Sequence, residues 1–215
     1  MTDQAWVASA LMVSMAGLSL AMATIAGTAN QEPAAIRALS MSRLHASLWT
    51  LSQTLIFWSV FLWILPKGIV EMEQRLAWPS FQHRGQIFGS ITLFIAASGL
   101  GLSSGLTMAM RGLGTPLPTA TAPLLVISGP YRRVRNPMAL AGIAQGMGVG
   151  WYLGSYSVIG YALLGAIVWH LFVRPVEEAD LEVRFGDDYR HYKANVRLWI
   201  PKLVPYVRDR QAEAS

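Results

Sequence analysis

The chain has 215 residues, of which 53% are hydrophobic and only 13% are charged, about half the charged fraction of an ordinary soluble domain. With a mean hydropathy of +0.38 and its apolar residues gathered in blocks, it is predicted to be an integral membrane protein. The formal net charge is +5, but the cations lie at the ends of apolar runs, which argues against a nucleic-acid partner. There is no cysteine and there are only four scattered histidines, so disulfides, thiolate catalysis and a metal site are not expected.

Five runs qualify as membrane spans by their length and their lack of charge. The first run could instead be a signal peptide, but no basic residue precedes it, so we interpret it as a span. The last two form a helical hairpin around Gly154-Ser155, and each is somewhat shorter than the roughly 20 residues of a typical span. The predicted spans are 5–29, 47–65, 86–110, 138–153 and 156–172.

The orientation of these spans follows from the lysines and arginines. Five spans put fourteen of the 17 cations on one side of the membrane, and only Lys67, Arg75 and Arg84 on the other. The positive-inside rule therefore predicts that the loop 111–137 and the C-terminal tail are cytoplasmic. Within the fourth span, glycines recur every four residues from Gly142 to Gly154. This spacing is typical of close helix packing rather than of a nucleotide loop.

The cytoplasmic segments contain the polar residues that could carry chemistry. The loop before the fourth span holds five prolines and ends in the basic sequence "PYRRVRNP", so it is expected to run extended over the mouth of the bundle. The tail begins as a helix with Glu177 and Glu178 in its first turns, and Gly186 should end that helix and precede a second one. We expect Arg132, Arg133 and Arg135 to approach the two glutamates. A network of ion pairs without any ligand remains the alternative.

The motif "GPYRRVRNPMALAG", followed about forty residues later by "EEADLEVRFGDDYRHYKANVRLWIP", resembles the isoprenylcysteine carboxyl methyltransferase and phospholipid N-methyltransferase family. That family has a Gly-x-Tyr-x-x-x-Arg-His-Pro-x-Tyr-x-Gly motif, an apolar hairpin, Glu-Glu, Phe-Gly, Tyr-x-x-Tyr and a terminal Ile-Pro. This chain has Asn136, Ala139 and Ala141 where the family has His, Tyr and Gly. The matching positions are Gly129, Tyr131, Arg135, Pro137, Glu177, Glu178, Phe185, Gly186, Tyr189, Tyr192, Ile200 and Pro201.

The resemblance implies an enzyme that takes a methyl group from S-adenosylmethionine (SAM), bound at the cytoplasmic mouth. The acceptor would be lipidic, of the isoprenylcysteine carboxylate or the phospholipid amine type. Glu178 and Tyr189 would assist catalysis, and Arg174 would hold an anionic group of the acceptor. The implied cofactor-binding residues are Leu125, Val126, Tyr131, Arg135, Asn136, Pro137, Met138, Ala139 and Glu177.

The predicted fold is therefore an all-α, polytopic membrane bundle. Its first part, 1–110, would supply three spans, and its second part, 111–215, would be the methyltransferase core. The protein would lie in a bacterial inner membrane or its equivalent, with the lipid bilayer and a hydrophobic acceptor as partners. Two alternatives remain open from the residues: an NADPH-dependent membrane reductase of the sterol type, whose C-terminal pattern is similar, and a non-catalytic relative.

Overall fold

The computed structural model describes residues 43–112 and 124–207, apart from the side chains of Arg43, His45 and Ala46. Throughout these two ranges the regular elements are helices, and the one strand-like contact is a single bridge between Ser80 and Ser155. The all-α class predicted from the sequence is thus confirmed. The predicted first span, 5–29, and residues 113–123 of the proline-rich loop lie outside the described residues.

The first half of the described chain forms two long helical rods. Helix α1, Arg43–Phe57, continues through a π-helical segment, Trp58–Ile64, into α2, Leu65–Arg75. Helix α3, Gln86–Thr107, ends in a second π-helical segment, Met108–Gly112.

The second half forms a hairpin and a polar helix. A 3₁₀ turn, Gly129–Arg132, precedes α4, Pro137–Leu153, and a tight turn leads into α5, Tyr156–Val168. A third π-helical segment, Trp169–Val173, joins α5 to α6, Arg174–Asn195. Gly186 interrupts α6 with φ 50° and ψ −126°, so the predicted break at this glycine is confirmed.

Three helices in the described ranges are long and apolar enough to cross a membrane, namely Ser47–Arg75, Gln86–Gly112 and Tyr156–Asn195. They cover the second, third and fifth predicted spans. The fourth predicted span is α4, which has 17 residues and is therefore only about 25 Å long at 1.5 Å per residue. The count of five spans consequently stays a prediction.

The rod Tyr156–Asn195 has 40 residues, which is about twice what a bilayer core requires. Its first part, from Tyr156 to Val173, contains no Asp, Glu, Lys or Arg, whereas charged residues follow from Arg174 onward. We therefore take Tyr156–Val173, defined here as the apolar crossing, as the part that lies in the membrane. The polar helix α6 lies beyond its end.

Small residues set the helix packing. A Cβ atom on Gly146 would lie 3.0 Å from Cβ of Ala162, and one on Gly150 would lie 2.8 Å from the backbone nitrogen of Ile159. Gly146 and Gly150 of the stripe therefore pack α4 against α5, as their spacing predicts, whereas a Cβ atom on Gly142 would meet Phe57 of α1 at 3.9 Å. On the side facing α3, the buried Gln145 donates from Nε2 to Oγ of Ser98 over 2.9 Å.

One end of the bundle is closed by the turn between α4 and α5 and by the loop 76–85. Gly154 has φ 65° and its carbonyl accepts a hydrogen bond from the backbone of Phe81 over 2.9 Å. The indole of Trp151 donates to Nε2 of His83 over 2.8 Å. The candidate functional residues lie at the other end, where α4 begins and the apolar crossing ends.

Candidate active site

The basic motif is shaped by a 3₁₀ turn and a helix cap. Gly129 adopts φ 57°, a conformation that strongly favours glycine, and the turn that follows buries Tyr131 to 6% exposure. Asn136 is the N-cap of α4, where its Oδ1 accepts a hydrogen bond from the backbone of Ala139 over 3.1 Å, and Pro137 fills the first helical position. Asparagine caps and first-turn prolines are locally favoured, so this geometry follows from the sequence.

Asn136 also connects the motif to α6. Its Nδ2 lies 3.4 Å from Oε2 of Glu177 and donates a long hydrogen bond to it. The hydroxyl of Tyr192 donates to the carbonyl of Tyr131 over 2.7 Å and fixes the same turn from the far half of α6. Burial raises the pKa of the Tyr131 hydroxyl and the charge of Glu177 adds to this rise, so these side chains lie near one another. We call Tyr131, Asn136 and Glu177 the Tyr131–Glu177 wall.

The Glu177 carboxyl lies in a partly dehydrated position. Burial raises its pKa to about 7, the hydrogen bond from Asn136 opposes this rise, and the nearby charges of Glu178 and Asp180 add to it. The residue as a whole is exposed, so solvent weakens these effects. A cationic ligand beside this carboxyl would favour its ionised form and lower its pKa again.

Glu178 points in a different direction and is engaged by cations. Its Oε1 lies 3.2 Å from Nη1 of Arg135, and its Oε2 lies 2.9 Å from Nζ of Lys193 and 3.7 Å from Nη1 of Arg174. Only 12% of the Glu178 side chain is exposed. Its carboxylate therefore joins the motif, the start of α6 and the far half of α6, and the catalytic role expected of Glu178 stays a prediction.

Tyr189 is enclosed by the packing of α6. It is 3% exposed and forms a buried cluster with Tyr192 and Val196, onto which Leu125 also packs. Burial raises the pKa of the Tyr189 hydroxyl to about 12, so it remains protonated near neutral pH. This environment suits a core tyrosine better than the catalytic role expected from the sequence, and that role stays a prediction.

Several buried polar atoms at this end of the bundle have no hydrogen-bond partner among the described residues. They are Oη of Tyr131, Nε and Nη1 of Arg135, Oε1 of Glu178 and Oγ of Ser128. Arg135 and Glu178 attract each other electrostatically, but these atoms do not make a well-directed hydrogen bond. Buried donors and acceptors are usually paired, so this group of atoms is suited to a polar ligand.

The remaining predicted residues have varied surroundings. Arg174 donates from Nε to the carbonyl of His170 over 3.1 Å and is partly exposed. Val126 and Pro137 are buried. Met138 lies against α3, because a Cβ atom on Gly105 would be 3.8 Å from its Cε.

The sequence prediction for Arg132 and Arg133 requires a correction. Arg135 does reach Glu178, but Arg132 donates from Nε to the carbonyl of Tyr206 over 2.7 Å and Arg133 donates from Nη1 to the carbonyl of Leu203 over 3.1 Å. The backbone nitrogens of Lys202 and Tyr206 also donate to the carbonyls of Arg133 and Arg132. The two arginines that were expected near the glutamates therefore bind the C-terminal segment 197–207 instead.

Two features were missed by reasoning from the sequence. Lys193 bridges Glu178 and Glu182 over 2.9 and 2.8 Å, and it reaches them only because Gly186 bends α6. Trp199 donates to Nδ1 of His170 over 3.2 Å. Neither contact has a periodic signal in the sequence, since both depend on the chain folding back across a kink.

No group of His, Asp and Glu side chains within residues 43–112 and 124–207 is arranged to hold a metal ion. The Tyr131–Glu177 wall instead offers a carboxylate, an amide and a phenolic hydroxyl, and the guanidinium of Arg135 precedes Asn136 in the chain.

Comparison with known proteins identifies the family to which the central part of the chain belongs. No curated protein sequence matches the chain significantly. Residues 86–188, which include α3, the basic motif, the hairpin and the first half of α6, match the family described as phospholipid methyltransferase. This region is therefore a domain of the phospholipid methyltransferase family of membrane methyltransferases, and the resemblance seen in the motifs is confirmed.

Proposed function

We propose that the protein is a SAM-dependent methyltransferase whose acceptor is a lipid or another membrane-partitioned molecule. The observation that carries this proposal is the Tyr131–Glu177 wall, where the Glu177 carboxyl, held by Asn136, lies near the buried Tyr131 hydroxyl, which has no hydrogen-bond partner among the described residues. Arg135, next to Asn136 in the chain, adds a guanidinium that is paired with Glu178. This donor set fits SAM, which presents an ammonium, a carboxylate and ribose hydroxyls. The matched family is a methyltransferase family, which supports the same proposal.

In this proposal Glu177 holds the ammonium of SAM, Arg135 faces the carboxylate, and Tyr131 donates or accepts at a neutral hydroxyl. Burial raises the pKa of Tyr131, so the hydroxyl keeps its proton. Asn136 orients the Glu177 carboxylate while it caps α4. Bound SAM supplies an electrophilic methyl group on its sulfonium, and the protein's task is to align the acceptor with it and to exclude water.

The acceptor is proposed to approach from the end of the apolar crossing. A shallow groove of about 310 Å³ is lined there by Ala166, Ile167, His170, Leu171 and Trp199, and Arg174 lies one helical turn beyond His170. An apolar groove followed by a cation suits a lipid with a hydrocarbon or prenyl chain and an anionic group. Both an isoprenylcysteine carboxylate and a phospholipid meet this description.

The test is the thermal stability of the detergent-purified protein with SAM, S-adenosylhomocysteine or NADPH. A ligand at a hundred times its Kd adds about 2.7 kcal/mol to the folded state, which a melting curve resolves. Both adenosyl ligands should raise the Tm of the wild type and should not raise that of Glu177→Ala. Asp187→Ala is the matched control, since Asp187 is an exposed carboxylate paired with Arg190.

The other outcomes discriminate between functions. Stabilisation by NADPH alone would assign the protein to a reductase activity, and no response to any ligand would favour a non-catalytic relative. If the adenosyl ligands stabilise the protein, transfer of a labelled methyl group from SAM to farnesylcysteine or to phosphatidylethanolamine would then identify the acceptor class.

A further inference from the structure

The C-terminal segment presents apolar side chains to the outside. Residues 197–207, defined here as the C-terminal strap, follow α6 without regular secondary structure. Four of its side chains face outward, with exposed fractions of 61% for Ile200, 92% for Leu203, 75% for Val204 and 66% for Val207. This is a concentration of aliphatic exposure that a segment in contact with water alone would not favour.

The strap is held at the level of the membrane boundary. Trp199 packs edge-on against Trp169, with ring centroids 5.3 Å apart, and donates to Nδ1 of His170. Trp169 and His170 lie in the last turn of the apolar crossing. Tryptophan is enriched where the hydrocarbon region meets the headgroups, so these contacts place the start of the strap at that depth.

Backbone hydrogen bonds keep the strap there. The backbone nitrogen of Lys202 donates to the carbonyl of Arg133 and that of Tyr206 donates to the carbonyl of Arg132, both over 2.8 Å. The turn that contains these arginines leads directly into α4. The strap is therefore fixed to the ends of both hairpin helices and is not a free tail.

The charged side chains of the strap itself, and of the turn with which its backbone pairs, are all cations. Residues 124–136 and 196–207 contain no Asp or Glu, and they contain the exposed cations Arg133 and Arg197 as well as Lys202. Arg135 is the cation in this region that an acidic side chain compensates within the described structure, by way of Glu178. Aliphatic side chains suit the upper acyl-chain region of a membrane, and cations without an acidic partner suit the anionic headgroups above it.

We propose that the C-terminal strap lies in the interface of an anionic lipid leaflet, with Ile200, Leu203, Val204 and Val207 among the headgroups and upper acyl chains. Lys202, Arg133 and Arg197 contact lipid phosphates at the same surface. A second copy of the chain is a poorer occupant, because two such faces would bring cations of the same sign together. The strap thus fixes the Tyr131–Glu177 wall at a set distance from the lipid surface.

The absence of cysteine from the chain allows a direct test with single-cysteine variants. Leu203→Cys and Val207→Cys are labelled with a small fluorophore in the otherwise native full chain and are placed in nanodiscs that contain phosphatidylglycerol. Ile95→Cys, on the exposed apolar face of α3, is the lipid reference, and Asp187→Cys, in the polar half of α6, is the water reference. Brominated lipids and iodide are the lipid-borne and water-borne quenchers.

We expect brominated lipids to quench the labels at 203 and 207, together with a blue shift, and iodide to quench them much less than the label at 187. Replacing phosphatidylglycerol by phosphatidylcholine should reduce the lipid quenching at 203 and 207 but not at 95. Iodide quenching equal to that at 187 would overturn the proposal. Protection from both quenchers, with self-quenching between labels, would also overturn it and would assign this face to a second copy. These measurements need neither SAM nor turnover, so their result is independent of the proposed enzymatic function.

Discussion

Asn136 connects local structure to the candidate site at the scale of a single residue. Its carbonyl oxygen caps α4 and its amide nitrogen donates to Glu177. The family motif has histidine at this position, and asparagine keeps a hydrogen-bond donor there while it gives up any titration near neutral pH. The protonation state of the wall therefore depends on Glu177 and not on residue 136.

Substituting Asn136 should separate these two roles. Asn136→Ala removes the cap and should cost about 1 kcal/mol of stability, seen as a lower Tm in detergent. Asn136→Ser keeps a capping oxygen but is too short to reach Glu177, so its Tm should stay near that of the wild type. Both variants should bind SAM more weakly than the wild type does. An unchanged Tm for Asn136→Ala would contradict the capping role.

The raised pKa of Glu177 predicts how SAM binding changes with pH. Because its pKa in the folded protein is about 7, the carboxyl is largely protonated at pH 6 and largely ionised at pH 8. If only the ionised form holds an ammonium, affinity should rise roughly tenfold over that interval. As the pH rises from the ordinary pKa of 4.5 to about 7, the ligand-free protein should lose stability, because the carboxyl ionises at a lower pH in the unfolded chain than in the folded protein.

Calorimetric titration of SAM from pH 6 to pH 8 measures this dependence. Glu177→Gln should bind weakly at every pH and show a flat profile. A wild-type affinity that falls as pH rises would be opposite in sign and would show that a different group controls binding.

At the scale of elements, the kink at Gly186 acts together with the ion pairs of Glu178. Glu178 and its three cations, Arg135, Arg174 and Lys193, are called the hub here. The kink lets the second half of α6 fold back, so that Lys193 meets Glu178 and Tyr192 meets the Tyr131 carbonyl. The basic motif, the start of α6 and the end of α6 are thereby held as one unit. A helix without the break would carry Lys193 away from Glu178.

Removing the hub should destabilise this unit. Glu178→Ala leaves three cations with reduced compensation in a largely enclosed position, and breaking such a pair costs about 3 kcal/mol. Glu182→Gln removes the other partner of Lys193, which is only partly buried, and should have a much smaller effect. Melting curves of the two variants provide the comparison, and equal Tm values would show that the hub contributes little.

The glycine stripe of α4 gives a second prediction at this scale. Gly150→Ala would place a Cβ 2.8 Å from the backbone of Ile159, and overpacking of this kind typically costs about 1–3 kcal/mol. Gly160→Ala, on α5, is the matched control because a Cβ there meets nothing within 4 Å. We expect a lower Tm for Gly150→Ala and an unchanged or slightly higher Tm for Gly160→Ala.

At the scale of the whole molecule, the two ends of the bundle differ in chemistry. The loop 76–85 and the hairpin turn close one end with backbone contacts and aromatic rings. The basic motif, α6 and the C-terminal strap form the other end. The excess of Lys and Arg at this second end predicts that it faces the cytoplasm.

Labelling from each side of the membrane tests this orientation. With an impermeant maleimide, Asp187→Cys should react in inside-out vesicles, and Trp78→Cys, in the exposed loop before α3, should react in right-side-out vesicles. The wild type has no cysteine and serves as the blank. The reverse pattern would place the Tyr131–Glu177 wall outside the cytoplasm.

Much of this architecture could be predicted from the sequence, because its causes are local. Long uncharged runs indicate membrane helices, and four-residue glycine spacing indicates close helix packing. Gly186 indicates a break in α6 that does not depend on what the helix packs against. The turn at Gly129 and the capped start of α4 follow from residues next to one another. The ordered motifs from Gly129 to Pro201 likewise carried the family resemblance.

The partners of the charged residues were decided only by the tertiary structure. Arg132, Arg133 and Arg135 are nearly adjacent in sequence, yet the first two bind carbonyls of the C-terminal strap and the third pairs with Glu178. Glu177 and Glu178 are neighbours too, but a helix turns successive side chains by about 100°, so that one faces Asn136 and the other faces three cations. Composition and spacing determine which elements form, whereas the faces that meet after the chain bends at Gly186 determine what each side chain touches.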